Sequence, residues 1–285
     1  MTALGLAFVP TLPPERLRSV ATAVEAAGLD ELWVWEDCFK ESGVASAAAA
    51  LAWTDRITVG IGILPAPLRN AALCAMEIAN LERMFAGRLI AGIGHGIQLW
   101  MDQTGAKVAS PMTLLEEYAT AVRLLLGGEQ VSVHGRYVQL NEVSLDWPPT
   151  PPPPLMLGGA GPKSLALAAR LGDGNLLAGA LTEEEISNAC GLISEHRATD
   201  MHPVVATVIA ATGPDAEARL VAERPRWFRP ADAPIGVAGD AATIAASIHR
   251  LAGFGVTSVC LQPTEDEPDL AGFVHFLGSE VKPLL

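Results

Sequence analysis

The sequence has few cysteines and no closely spaced histidines. Its four cysteines (Cys38, Cys74, Cys190 and Cys260) are scattered over 285 residues, and no two stand in Cys-x-x-Cys spacing. The scatter predicts neither a disulfide framework nor a zinc site. The six histidines form no His-x-His or His-x-x-x-His pair, and no Gly-x-Ser-x-Gly turn occurs. These absences argue against a barrel metallohydrolase and against a serine hydrolase, so we expect no metal.

Positive charge is also in short supply. The chain has 19 basic and 32 acidic residues, which gives a net charge of −13. Such a chain is a poor general partner for nucleic acid or an anionic membrane surface, so an anionic ligand must be captured locally. No segment reaches the roughly 18 apolar residues of a membrane span, and no basic stretch precedes the apolar residues at the N-terminus. We therefore expect a cytoplasmic protein.

Short apolar segments are abundant. Half of the residues are hydrophobic and 18% are charged, which supplies a sizeable core, and we expect one domain over residues 1–285. Eight segments, each short and rich in β-branched residues, alternate with helical patterns. These predicted strands are residues 4–9, 31–35, 58–64, 89–93, 155–157, 175–178, 204–211 and 256–261. The alternation is typical of a parallel sheet covered by helices.

The simplest closure of eight such units is an α/β fold of the (β/α)8 TIM-barrel type with insertions. The alternative is an open, doubly wound sheet, but no Gly-x-Gly-x-x-Gly turn follows the first strand. The expected insertions are a long loop over residues 97–109 and a hairpin with strands at 131–133 and 137–140. Helix starts are predicted at Ser110-Pro111, at Thr182 with Glu185 in a capping box, and at Asp240, and an irregular segment is expected over residues 224–234.

Ligands of parallel α/β folds bind at the carboxyl ends of the strands, so the strand ends define the predicted pocket. After the fourth strand, Gly94 and Gly96 bring bare backbone close to this pocket, and His95 lies between them. His95 has two interpretations, a hydrogen bond across the loop or an acid–base group. Aromatic and sulfur side chains suited to a planar ligand follow the second and fourth strands: Trp35, Phe39, Trp100 and Met101.

The loop after the fifth strand predicts a phosphate site. Glycines beside a helix start leave backbone N–H groups free, and the helix dipole favours an anion there. Lys163 and Ser164 can add a charge and a hydroxyl. The residues of this loop are Gly158, Gly159, Ala160, Gly161, Pro162, Lys163 and Ser164. A plain helix start with proline in its first turn is the alternative.

An acid pair, Glu36 and Asp37, follows the second strand. One of the two is expected to face the pocket, because neighbouring residues of an extended segment point in opposite directions. The alternative is a solvated turn or a helix cap. Asp37 is our second candidate for an acid–base group, after His95.

Five stretches in this order resemble the bacterial luciferase-like monooxygenase superfamily, and specifically its branch that uses the deazaflavin coenzyme F420. They are residues 26–37, residues 56–60 with Arg69, and residues 87–94, 158–164 and 168–174. The resemblance implies a barrel with a flavin or deazaflavin across the strand ends, held by Glu36, Gly62, Ile63 and the glycines named above, with its phosphate on the loop after the fifth strand. It also implies a cis peptide bond between Gly62 and Ile63.

Two positions depart from the pattern of the relatives. Many relatives carry Ser-Asp-His-Phe where this chain has Glu36-Asp37-Cys38-Phe39, and sugar-phosphate dehydrogenase relatives place a glutamate where Ile97 stands. Both departures count against sugar-phosphate oxidation and leave the small-molecule substrate open.

The main hypothesis is hydride transfer between coenzyme F420 and an organic substrate, with a homodimer as one assembly to consider. The alternatives are an FMN-dependent monooxygenase fed with reduced flavin, a barrel that binds the cofactor without catalysis, and a regulatory interaction protein.

Overall fold

Strands and helices alternate along most of the chain in the computed structural model, which describes residues 2–285. The strands are β1 (Ala3–Ala7), β2 (Glu31–Val34), β3 (Thr58–Pro65), β4 (Leu89–Gly94), β5 (Val131–His134), β6 (Gln139–Val143), β7 (Leu155–Gly158), β8 (Gly174–Leu177), β9 (Val204–Ala211), β10 (Val237–Ala238) and β11 (Ser258–Pro263). The helices are α1 (Leu17–Ala26), α2 (Gly43–Ala52), α3 (Ala71–Met84), α4 (Gln98–Gln103), α5 (Pro111–Leu126), α6 (Pro162–Leu171), α7 (Glu183–His196), α8 (Ala216–Arg226), α9 (Ala241–Gly253) and α10 (Leu270–Phe276).

The parallel strands close into a barrel. Pairing runs β1-β2-β3-β4-β7-β8-β9-β11 and returns to β1. The short strand β10 pairs with the end of β9, beyond the point where β8 stops. The predicted (β/α)8 barrel is confirmed, and the open sheet is wrong because the β8–β9 and β11–β1 pairings close the ring.

The insertions agree in part with the prediction. The antiparallel hairpin β5–β6 lies between α5 and β7, as predicted. The expected loop over residues 97–109 instead contains α4, so that expectation is wrong. Ile97 precedes this helix and provides no side-chain cap, while Met101 is buried. The helix thus depends on packing and has no capping signal in the sequence. Helix α8 also extends to Arg226, into the segment expected to be irregular.

The predicted helix starts are confirmed. The side chain of Ser110 accepts a hydrogen bond from the backbone N–H of Thr113, and Asp240 accepts one from that of Thr243. Thr182 and Glu185 form the complete capping box. Within residues 2–285, no helix combines the length and apolar character needed to cross a bilayer.

The indole of Trp33 fills much of the barrel interior. It packs with Ala7, Met156, Leu176 and Cys260, the inward-facing residues of other strands. Room for this large ring comes from β3, because a Cβ on Gly60 would overlap the six-membered ring of Trp33. A barrel core of this size is usually filled by several branched side chains, and here one aromatic residue replaces part of them.

A buried carboxyl group lies below this ring. Oε2 of Glu31 accepts hydrogen bonds from Nε1 of Trp33 at 2.7 Å and from the hydroxyl of Ser258 at 2.6 Å. Burial raises the pKa of Glu31, and these hydrogen bonds oppose the shift in part. The carboxyl group therefore fixes the orientation of the indole in the barrel.

The close approach of Gly60 to Trp33 gives a stability prediction. Gly60→Ala should lower the free energy of unfolding by about 1–3 kcal/mol, because the added methyl group overpacks the interior. Gly191→Ala is the matched control. No atom lies within 4 Å of a Cβ at this position in α7, so the change should instead stabilise the protein by about 1 kcal/mol. Urea unfolding followed by circular dichroism measures both, and an unchanged midpoint for Gly60→Ala would contradict the packing described above.

Candidate active site

A cavity of about 350 Å³ opens at the carboxyl ends of the barrel strands. Twelve of the residues predicted for the site line it. They are Trp35, Glu36, Asp37, Gly62, Ile63, Gly94, His95, Gly96, Trp100, Gly158, Gly159 and Ala160. The residues come from the ends of β2, β3, β4 and β7, so the fold brings together segments that are far apart in sequence.

The other predicted residues lie away from the cavity wall. Phe39 points to solvent with 69% of its surface exposed, whereas Met101 is fully buried beneath Gly96. Gly161, Pro162 and Lys163 are exposed at the start of α6, and Ser164 is half-buried. Neither Phe39 nor Met101 therefore forms the aromatic and sulfur wall that the sequence predicted.

Trp227 is a wall residue that sequence reasoning missed. It follows α8 and meets Trp35 edge to face, with ring centroids 6.4 Å apart and an interplanar angle of 87°. Pro65 and Ile97, within the predicted strand ends at residues 62–69 and 94–101, also line the cavity, and the remaining lining residues that were not predicted are Leu176, Leu177, Ala178, Gly179 and Thr207. The strand ends of β8 and β9 follow the logic used for the other strands, but Trp227 carried no local signal.

Glu36 and Arg69 form a buried ion pair at the rim. Nη1 and Nη2 of Arg69 donate to the two carboxylate oxygens of Glu36 at 2.7 and 2.9 Å. The backbone N–H of Gly43 donates to the same carboxylate at 3.0 Å, and Nε of Arg69 lies 3.2 Å from Glu77. The charge of Glu36 is thus fully engaged within the protein, and its carboxylate braces β2, β3 and the start of α2.

Asp37 is half-buried on the cavity wall. Burial raises the pKa of its carboxyl group, and Lys40 opposes the shift in part. Burial and the neighbouring Glu36 and Asp37 also raise the pKa of Cys38, so its thiol stays neutral at pH 7. Asp37 therefore combines access to the cavity with a proton affinity above that of an ordinary aspartate.

His95 connects two loops of the site. Its Nε2 lies 2.9 Å from the hydroxyl oxygen of Ser164, which in turn lies 3.4 Å from the sulfur of Met112. Burial lowers the pKa of His95, an effect that the backbone of Pro111 opposes. The imidazole is therefore held neutral at pH 7, and it makes the hydrogen bond across the loop that was one of its two interpretations.

The start of α6 presents backbone donors. Gly161 precedes the helix and provides no side-chain cap. In the part of the chain that the structure describes, no backbone carbonyl accepts from the N–H groups of residues 159–161 or 163–164. A Cβ on Gly159 would lie 2.5 Å from Cβ of Ser164, so only glycine fits at this position of the turn. The geometry is that of an anion site at a helix N-terminus.

Two further observations concern chemistry at the cavity. The peptide bond between Gly62 and Ile63 is cis, as the resemblance implied, and so is the bond between Cys38 and Phe39. Among residues 2–285, no three histidine, cysteine, aspartate or glutamate side chains are grouped to hold a metal ion.

Fold and site together define a (β/α)8 barrel with its cavity at the carboxyl ends of the strands, the arrangement of barrel enzymes. Residues 5–255 match the family described as luciferase-like monooxygenase. The chain belongs to this family.

Two relatives illustrate the family. The 5,10-methylenetetrahydromethanopterin reductase of Methanolobus tindarius is 32% identical over 174 residues, which cover 61% of this chain and 53% of that protein. The F420-dependent glucose-6-phosphate dehydrogenase of Kineococcus radiotolerans is 31% identical over 176 residues, which cover 56% of this chain and 51% of that protein. The chain thus spans about half the length of the curated relatives it matches.

Solved structures share the whole fold. The coenzyme F420-dependent tetrahydromethanopterin reductase of Methanopyrus kandleri has a TM-score of 0.84 at 21% identity, over 99% of both chains. An F420-dependent secondary alcohol dehydrogenase in complex with an F420-acetone adduct has a TM-score of 0.88 at 20% identity, over 100% of this chain and 99% of that one.

Removing the cation at the rim should destabilise the protein. The side chains of Arg69 and Glu36 are only 14% and 9% exposed. Arg69→Met leaves the carboxylate of Glu36 buried without its partner, so we expect a loss of about 3–5 kcal/mol in the free energy of unfolding.

Arg250→Met is the control. Arg250 makes the same two-pronged contact with Glu183, but these side chains are 53% and 40% exposed. Solvent screens that pair, and its loss should cost no more than about 1 kcal/mol. Chemical unfolding at pH 7 compares the two variants, and equal losses would show that burial of the Glu36–Arg69 pair has no special weight.

Proposed function

We propose that the protein is an oxidoreductase that moves a hydride between coenzyme F420 and a small organic molecule. The observation that carries this proposal is the meeting of backbone donors at the start of α6 with a cavity walled by Trp35 and Trp227. Such a site suits a planar ring attached to a phosphate. The F420-dependent glucose-6-phosphate dehydrogenase, which this chain matches over about half its length, supports the same cofactor.

The phosphate end of the cofactor fits the residues at α6. The N–H groups of residues 159–161, 163 and 164 supply hydrogen-bond donors, and the side chain of Lys163 is exposed beside them. This local donor set offsets the repulsion expected from a chain with a net charge of −13. The hydrogen bond between Ser164 and His95 fixes the first turn of the helix against the end of β4. We therefore assign His95 a positioning role at the phosphate loop.

The ring end fits the remaining walls. Ile63, Leu176 and the two tryptophans offer apolar faces, and Gly62 and Gly94 let backbone approach closely. When bound, coenzyme F420 supplies hydride chemistry at carbon 5 of its ring. The protein's task is then to orient the substrate, to exclude water and to handle one proton.

Asp37 is the proposed proton-handling group. Oxidation of an alcohol to a carbonyl compound releases a hydride and a proton, and the reverse reaction takes up both. Asp37 faces the cavity with a raised pKa, while Glu36 is engaged by Arg69 and Cys38 stays a neutral thiol. We therefore propose an alcohol and carbonyl pair as the substrate class, with Asp37 accepting the hydroxyl proton in the oxidative direction.

Cofactor titration with a charge variant tests the phosphate site. Gly161 is suited to this test because no atom lies within 4 Å of a Cβ placed there and its φ of −91° suits any residue. Gly161→Asp adds a negative charge at the backbone donors, so its Kd for F420 should be at least tenfold above that of Gly161→Asn. The ratio corresponds to about 1.4 kcal/mol.

Gly161→Asn controls for size and helix capping, since asparagine and aspartate cap helices equally well. Equal Kd values for the two variants would show that the phosphate of the cofactor does not bind at this loop. Parallel titration of the wild type with FMN, and oxygen consumption with reduced FMN, decide between the deazaflavin enzyme and the monooxygenase alternative.

Loss of Asp37 should separate catalysis from cofactor binding. With an alcohol that reduces F420 in a panel screen, Asp37→Asn should lower kcat by about 10²-fold or more and leave the Kd for F420 within twofold. In the wild type, the rate of alcohol oxidation should rise as the pH increases through the raised pKa of Asp37, because the carboxylate accepts the proton. This rise should vanish in Asp37→Asn. His95→Ala should instead bind F420 more weakly, with a higher Kd, and its oxidation rate should still rise with pH. An Asp37→Asn enzyme with wild-type turnover would refute the proton role.

A further inference from the structure

The amide of Gln262 is a buried polar group without a partner. Gln262 is 4% exposed, and its Oε1 makes no hydrogen bond within residues 2–285. Leaving a buried acceptor unpaired costs free energy, so such groups in folded proteins call for an explanation. Gln262 lies near the end of β11, the last strand of the barrel, where binding residues of this fold are found.

The side chain of Gln262 faces the inside of the barrel. Along β11, Ser258 bonds to Glu31 and Cys260 packs with Trp33, so every second residue points inward and Gln262 is the next. In register, Cys260 is level with Thr207 of β9, which lines the cavity. Gln262 is two residues further along and therefore about 7 Å nearer the mouth.

Gln262 lies next to Gly179 of the cavity wall. A Cβ on Gly179, which lines the cavity, would lie 2.9 Å from Cη2 of Trp227 and 3.5 Å from Oε1 of Gln262. The indole and the amide thus meet at the same part of the wall. Gln262 itself belongs to β11, which is three strands around the barrel from β7, the strand that leads into the donors at α6.

We infer that the carboxamide of Gln262 binds the pyrimidine edge of the cofactor ring. That edge carries an N–H group flanked by carbonyl groups, and a carboxamide offers the complementary acceptor and donor side by side. The location agrees, because the ring must lie away from the phosphate by the length of the sugar chain. The inference rests on the proposed function and adds the residue that orients the ring.

Gln262→Met tests this role, because methionine has similar length and no amide. The variant should bind F420 at least tenfold more weakly, as measured by fluorescence titration. Its melting temperature without cofactor should stay equal or rise, since the unpaired acceptor is removed. Gln130→Leu, which removes an exposed amide in the hairpin region, is the control and should leave Kd unchanged.

An analogue methylated at N3 of the ring makes the test specific. Methylation should weaken binding to the wild type at least tenfold, and it should weaken binding to Gln262→Met by less than threefold. Equal losses in both proteins would overturn the inference. So would an unchanged Kd of Gln262→Met with a raised KM for the alcohol, because the amide would then serve the substrate.

A Gln262→Met protein with a lower melting temperature and wild-type cofactor affinity would also overturn the inference, since the amide would be structural. A wild type that binds neither F420 nor FMN would overturn the proposed function and this inference together. If wild type and Gln262→Met bind F420 equally well, the inference alone fails.

Discussion

The packing of Trp33 against the glycines beside it fills the barrel interior next to the cavity wall at Gly62. The ring occupies the barrel interior because β3 carries Gly60 beside it, and Glu31 holds it from below through the indole N–H. Space above the ring begins at Gly62, whose Cβ position would lie 3.3 Å from Trp33. A smaller residue at position 33 would deepen the cavity, and a larger residue at position 60 would displace the ring. The same packing therefore serves stability and supports Gly62, which lines the cavity.

The two carboxylates near the mouth of the cavity, Glu36 and Asp37, have different partners. Glu36 is paired by a cation and a backbone donor, while Asp37 next to it remains available with a raised pKa. Two adjacent carboxylates thus have different environments, a common way to separate structural from chemical roles. Because Arg69 lies between Glu36 and Glu77, the pair also connects β2 to α3. Loss of this pair would disturb the position of Asp37, so the stability of the rim is linked to the proposed role of Asp37.

The sequence was sufficient for the barrel because its strands are short apolar runs between clear helix signals, and local pattern determines such elements. The glycine turn before α6 was also predictable, since its glycines and the helix start are contiguous, and a phosphate there stays a prediction. The pairing of Glu36 with Arg69 and of His95 with Ser164 joins residues 33 and 69 positions apart, and no local pattern encodes it. Helix α4 was missed because burial of Met101, rather than a cap, stabilises it. Trp227 was missed for a related reason: it enters the wall through the packing of α8.

Gln262 shows how an unfavourable local feature can indicate function. In the sequence it is one polar residue near the end of an apolar strand, and the same pattern would describe a residue exposed at a sheet edge. In the barrel it is buried, inward-facing and unpaired, while neighbouring buried polar residues are satisfied: Glu31 accepts two hydrogen bonds, and Asn175 bonds to both His202 and Leu165. Among the unpaired buried polar atoms of the described residues, which include Nδ1 of His95 and the hydroxyl of Tyr118, Oε1 of Gln262 is the one on a barrel strand, where a ligand in the cavity can complete it. The unpaired amide lowers the stability of the free protein. In the proposed complex, the same amide lets the protein select a ring edge that carries both a donor and an acceptor.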